Sequence, residues 1–129
     1  MTTEESRLTS ENALRVVVVG PCASGKTTLV ENLKRIGIDA RVSGQEHSAI
    51  RNLWRRLEPD VLIALDLDLD TLRERRNPTW PADLYSVQHV RLAGAFEAAT
   101  VVINTSDTPE EDVFEQVLAI IDRYRTNSA

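Results

Sequence analysis

The sequence predicts an α/β fold, a three-layer sandwich in which a mostly parallel sheet of about four strands is flanked by helices. Three observations carry this. The runs Val16-Val17-Val18-Val19, Val61-Leu62-Ile63-Ala64-Leu65 and Val101-Val102-Ile103 are apolar without alternation, which suits strands buried on both faces. The segments between them carry apolar residues at helical spacing. Glycines and prolines mark the boundaries. Strands that alternate with helices make a parallel sheet with crossover helices.

Residues 1–13 are polar and mixed in charge, and they read as a tail or a frayed first turn. Arg15 to Val19 is the first strand, broken by Gly20 to Gly25. From Lys26 the positions Leu29, Val30, Leu33 and Ile36 mark a helix, with Gly37 as its C-terminal stop. Ile38 to Ser43 is a short strand near an edge of the sheet. Ile50, Leu53, Trp54 and Leu57 share one face of a helix over 48–57, ended by Pro59. Val61 to Leu65 is a second buried strand, closing on Asp66.

Asp70 is placed to cap a short helix through Asn77, with Pro78 as its stop. Pro81 suits the first turn of a longer helix reaching Ala99. Val101 to Ile103 is the last strand, and Thr108-Pro109-Glu110-Glu111 has capping-box spacing. The final helix puts Val113, Phe114, Val117, Leu118, Ile121 and Tyr124 on its buried side.

A chain of 129 residues with 42% apolar content predicts one domain over 1–129 with a real core. A net charge of -5 argues against a dedicated nucleic-acid partner, which would need a basic face. The single cysteine, Cys22, cannot form an internal disulfide, and no Cys/His cluster has zinc spacing in the sequence. No apolar run approaches membrane-spanning length, and the first residues lack a signal-peptide pattern, so a soluble cytoplasmic protein is expected.

The sharpest motif is Gly20-Pro21-Cys22-Ala23-Ser24-Gly25-Lys26-Thr27, which fits Gly-x-x-x-x-Gly-Lys-Thr between a buried strand and a helix. Average composition yields that pattern in roughly one chain of this length in 200. Its parts have separate jobs. Gly20 and Gly25 admit backbone angles and approaches that a side chain forbids. The N–H groups of Ala23 through Thr28 can form an anion nest, reinforced by the helix N-terminus. Lys26 would reach the β- and γ-phosphates, and the Thr27 hydroxyl would ligate magnesium. The motif predicts a P-loop that binds ATP, or another nucleoside triphosphate, with Mg2+. Cys22 occupies a variable position, as a small filler or as a redox-sensitive thiol.

Three segments resemble the small-molecule kinases of the P-loop class, such as shikimate, adenylate and thymidylate kinases. The first is Val16 to Thr28. The second is Pro59 to Asp66 followed by Leu72-Arg73-Glu74-Arg75-Arg76, similar to the family's fourth strand and the helix leading into its arginine-bearing lid. The third is Ala99 to Ser106 followed by Pro109-Glu110-Glu111, similar to the fifth strand and closing helix. The resemblance implies a phosphotransferase with a small-molecule phosphoryl acceptor. Members are longer, with a further strand and an acceptor-binding region before the segment matching Pro59, so the acceptor site here is abbreviated.

The resemblance and the fold together nominate further residues. Asp66 ends a hydrophobic strand as a Walker-B acid does and would hold magnesium through water; the alternative is a strand-end aspartate that caps the next turn. Glu46, at the C-terminal end of the second strand, would act as a base for the acceptor or as a magnesium partner; the alternative is a plain loop carboxylate. Arg73 and Arg76 resemble the lid arginines that clamp a transferring phosphate, ahead of Arg75; the alternative is a solvated helix end. Gln88 and Arg91, one turn apart, could face the same crevice. Trp54 and Trp80 read as packing residues, and His89, with no partner of ligand type nearby, reads as structural. Asn104-Thr105-Ser106-Asp107 departs from the guanine-reading Asn-Lys-x-Asp of GTPases at Thr105. Two functions follow as expectations: a compact kinase with Lys26, Glu46, Arg73 and Arg76 in catalysis, or a non-catalytic or slowly hydrolysing nucleotide-binding module acting with a protein partner.

Overall fold

The valine run Arg15–Val19 forms β1, and its four valines are fully buried. A computed structural model describes residues 14–128 of the chain; the tail predicted over 1–13 lies outside them. After β1 come α1 (Lys26–Arg35), β2 (Asp39–Val42), β3 (Val61–Asp66), α2 (Leu69–Arg75), α3 (Ala82–Ala98), β4 (Val101–Asn104) and α4 (Glu110–Ser128). The four strands make one parallel sheet in the order β2-β1-β3-β4. Val16 pairs with Ala40 on one side and Val61 on the other, and Ile63 pairs with Val101.

Alternation within the central strands divides the core into two layers. Val16, Val18, Val61, Ile63 and Leu65 pack on one face against Leu29, Val30 and Leu33 of α1 and Val113, Val117 and Ile121 of α4. Val17, Val19, Leu62 and Ala64 pack on the other face against Trp54 and against Leu92 and Ala95 of α3. Each such large aliphatic side chain contributes about 1.5–3 kcal/mol when fully buried. The predicted three-layer α/β arrangement with four strands is the observed one. As expected, β2 lies at an edge, where Val42 is exposed. No helix among the described residues is long and apolar enough to cross a membrane.

Two local expectations are corrected. The helix expected over 48–57 is only a 3-10 turn, Leu53–Leu57, preceded by another at Gln45–His47. Asn52 sits in the left-handed region at φ 54°, which a continuous helix cannot contain. The buried Gln45 amide also takes backbone groups that a helix would use, donating to Ile50 O at 2.8 Å and accepting from Trp54 N at 3.2 Å. Trp54 is buried as expected, but Ile50 is exposed. The second correction concerns α2, which is capped by Asp68 and not Asp70: its carboxylate accepts from Thr71 N at 2.7 Å. That backbone hydrogen bond is the main cause that holds the Asp68 carboxyl below its ordinary pKa.

Candidate functional site

Parallel strands end together at one edge of the sheet, and the loops leaving them enclose a cleft of about 930 Å3. Its walls include Cys22 to Leu29, Glu46 and His47 after β2, Arg75 and Arg76 at the end of α2, and Thr105, Thr108 and Pro109 before α4. The sheet topology therefore brings most of the residues singled out in the sequence to one place.

The β1–α1 loop is shaped by two residues with positive φ, Ala23 at 65° and Gly25 at 96°. Ser24 N–H donates to Pro21 O at 3.3 Å, closing the turn, and Leu29 N–H donates to Gly25 O at 3.1 Å, closing the first turn of α1. The amides of Lys26, Thr27 and Thr28 are those that a helix start leaves without an internal acceptor. No acidic side chain lies in that first turn and no side chain caps it. Its positive end thus faces the cleft without a built-in counter-charge. At Gly20 a Cβ would lie 2.6 Å from Leu65 O, so the loop rests directly on the end of β3. Ser24 Oγ is buried there without a hydrogen-bond partner.

Lys26 and Glu46 form a buried ion pair, Nζ to Oε2 at 2.8 Å, with side-chain exposures of 9% and 4%. Nζ also donates to Gly20 O at 2.7 Å and Pro21 O at 3.0 Å. The lysine therefore has three oxygen partners, whereas Glu46 Oε1 is buried with none. Removing two charges from water costs several kcal/mol per ion, so this arrangement holds only through close pairing and these additional hydrogen bonds. Glu46 itself is positioned by Arg91, whose Nη1 donates to its carbonyl at 3.2 Å.

The arginines divide differently from the sequence expectation. Arg73 Nε donates to Trp80 O at 3.0 Å, and Arg73 does not line the cleft. Arg75, ranked behind it, donates to Ala23 O at 2.9 Å and to Thr105 O at 2.7 Å, stitching the β1–α1 loop to the β4–α4 loop. Arg76 lines the cleft as expected. The signal was present in the spacing from buried Leu72. Positions three and four residues on share its helix face, and position one does not.

Asp66 is not brought to the cleft. Its Oδ1 accepts from Leu67 N at 2.9 Å and contacts His89 Nε2 at 2.8 Å, on the α3 side of the sheet. His89 does have a partner of ligand type in Asp66, and its Nδ1 also lies 2.9 Å from Tyr85 O. The Tyr85 hydroxyl donates to Leu67 O at 2.9 Å; burial first, and then the charges of Asp66 and Asp68, push its pKa up. Thr27 lines the cleft and is exposed to it. Gln88 and Arg91 both reach toward the loops around the cleft, Gln88 through Cys22, whose N–H donates to Gln88 Oε1 at 3.1 Å.

No protein-family model, curated protein or solved structure matches the chain. What the site can do follows from its own chemistry. The cleft is lined by a helix start, a buried lysine, the Thr27 hydroxyl, a buried carboxylate and Arg76.

Proposed function

We propose that this protein binds a nucleoside triphosphate, ATP or another, with Mg2+ in the cleft, and passes its terminal phosphoryl group to a small acceptor as a compact kinase-like phosphotransferase. The observation that carries this reading is Lys26, held at the start of α1 between two loop carbonyls and Glu46. Phosphates entering the nest would offer Lys26 stronger acceptors than Gly20 O and Pro21 O. The unpartnered Ser24 Oγ and the open amides of Lys26 to Thr28 are consistent with an anionic guest.

The residues also fit a magnesium ion. Thr27 would hold it on the cleft rim, and when bound it would neutralise charge on the phosphates. Lys26 and Arg76 would stabilise the charge that develops on the moving phosphoryl group. Glu46, 3% exposed and with one oxygen free of partners, would orient the acceptor hydroxyl and take its proton.

The second reading, a nucleotide-binding module that acts with a protein partner, is favoured by one observation. Only two short 3-10 turns lie between β2 and β3, where an acceptor region would sit. One experiment separates the two readings. Thermal shift with ATP, GTP and ADP, with and without Mg2+, is followed by ADP release across a panel of small hydroxyl and phosphate acceptors. The kinase reading expects acceptor-stimulated release, lost in Lys26→Ala and Glu46→Gln. Tight ATP binding with no stimulation by any acceptor would select the module. No thermal shift with any nucleotide would overturn both.

A further inference from the structure

Three side chains with metal-binding atoms converge at the mouth of the β1–α1 loop, although only two of them are neighbours in sequence. Cys22, Glu46 and His47 each place one ligand atom within 4.8 Å of the others. Cys22 Sγ lies 3.9 Å from His47 Nε2, and His47 Nε2 lies 3.5 Å from Glu46 Oε2. Tetrahedral zinc, with Zn–S of about 2.3 Å and Zn–N and Zn–O of about 2.1 Å, separates its ligand atoms by about 3.6 Å for S and N and about 3.4 Å for N and O. The two measured separations are within a few tenths of an ångström of that geometry. We propose that Cys22, Glu46 and His47 form a binding site for a thiophilic divalent cation, with zinc the best match.

Independent features of the surroundings support the site. Glu46 is 3% exposed, and its Oε1 has no hydrogen-bond partner, so the carboxylate keeps unused acceptor capacity beside Oε2, the oxygen that faces His47. Oε2, 3.5 Å from His47 Nε2, is also the oxygen that holds Lys26 at 2.8 Å, so the ion and the lysine would share it. Cys22 is held by a reciprocal amide clamp: its N–H donates to Gln88 Oε1 at 3.1 Å, while Gln88 Nε2 donates to its Sγ at 3.2 Å. Gln88 is itself fully buried, so the sulfur is aimed by a rigid partner, as the groups behind metal ligands commonly are.

The donor set selects the ion. A sulfur and an imidazole nitrogen suit zinc and disfavour magnesium, which takes oxygen ligands. On binding, the Cys22 thiol gives its proton to the buffer as the sulfur–metal bond forms. The thiolate then offsets one of the ion's two positive charges, and the carboxylate is shared between the ion and Lys26. Three protein ligands leave a fourth position for water or a substrate atom, the pattern of zinc sites that are not purely structural. All three ligands line the cleft, so that position belongs to the cleft as well.

The test uses the full chain, reduced and stripped of metal, with Co2+ as a spectroscopic probe and Zn2+ as competitor. A sulfur-to-cobalt charge-transfer band saturating at one equivalent and bleached by Zn2+ is the expected result. The chain has one cysteine, so such a band can arise only from Cys22. Cys22→Ser should abolish it. His47→Ala, a change at an exposed side chain that leaves the fold intact by circular dichroism, should weaken Co2+ affinity at least tenfold. Absence of the band at millimolar Co2+, or a band of unchanged affinity in His47→Ala, would overturn the proposal. Nucleotide thermal shifts on the metal-free protein are read separately, so either reading can fail without the other.

Discussion

The Lys26–Glu46 pair predicts an asymmetry that unfolding experiments can resolve. Lys26→Met keeps most of the aliphatic stem but leaves the Glu46 carboxylate buried with only His47 Nε2 nearby, at 3.5 Å. A buried charge stripped of its partner costs about 3–5 kcal/mol. Glu46→Gln is milder, because Lys26 keeps Gly20 O and Pro21 O and gains the neutral amide oxygen. Its expected cost is that of one charged hydrogen bond, about 1.5–3 kcal/mol. The double variant buries neither charge, so its cost should fall below the sum of the single costs by about 2 kcal/mol. Urea denaturation of the four proteins without nucleotide measures this. With a slope of about 1–3 kcal/mol/M, Lys26→Met moves the midpoint down by about 1–5 M. Additivity within about 0.5 kcal/mol would refute a stabilising interaction between the two side chains. A Glu46→Gln variant less stable than Lys26→Met would refute the argument from their unequal partners.

Three other perturbations test separate parts of the description. Gly20→Ala drives a Cβ to 2.6 Å from Leu65 O, a backbone atom that cannot step aside, whereas Gly44→Ala meets nothing within 4 Å. Calorimetry should show a loss of about 1–3 kcal/mol, or roughly 4–12 °C in Tm, for the first and almost none for the second. Thr27→Ala should weaken the Mg2+ dependence of nucleotide binding, while Asp66→Asn, outside the cleft, should leave that dependence unchanged in calorimetric titrations. At Asp39, burial raises the carboxyl pKa, but hydrogen bonds from Arg15 and then Arg41 outweigh it and leave the pKa below its ordinary value. A folded-state pKa that is depressed contributes stability above the unfolded value and loses it as pH falls through the folded one. Wild type should therefore exceed Asp39→Asn by at most about 1 kcal/mol at neutral pH, since the pair is about one-third exposed, and the gap should close in acid.

The sheet and its order of elements were legible because each central strand is a run without alternation, and only burial on both faces tolerates such a run. The β1–α1 loop was legible because its geometry depends on glycines at set positions beside a lysine. The missed features depend on where side chains reach across the fold. Gln45 dismantles a helix by bonding Ile50 O and Trp54 N, and the amphipathic spacing of Ile50, Leu53, Trp54 and Leu57 carries no trace of that competition. Asp68 and Asp70 are equally good caps by residue type, and the hydroxyl of Ser106, 38 residues on, donates no information to the local sequence although it accepts from Asp68 N at 2.9 Å. Arg75 was separable from Arg73 by its spacing from Leu72. Cys22 and His47, 25 positions apart, meet only because β1 and β2 are neighbours in the sheet.

Helix α3 touches the cleft only through intermediaries, yet two of the cleft's loops are fastened to it. Gln88 fastens the β1–α1 loop at Cys22, and Arg91, three residues later, fastens the segment after β2 at Glu46. The two loops are thus mounted on a common spar as well as on each other through Lys26 and Glu46. A guest that moves either loop therefore acts against the same helix. Leu84 and Val87, one turn before Gln88 and Arg91 on the same helix face, stand exposed, and so does Val90 on the side away from Gln88.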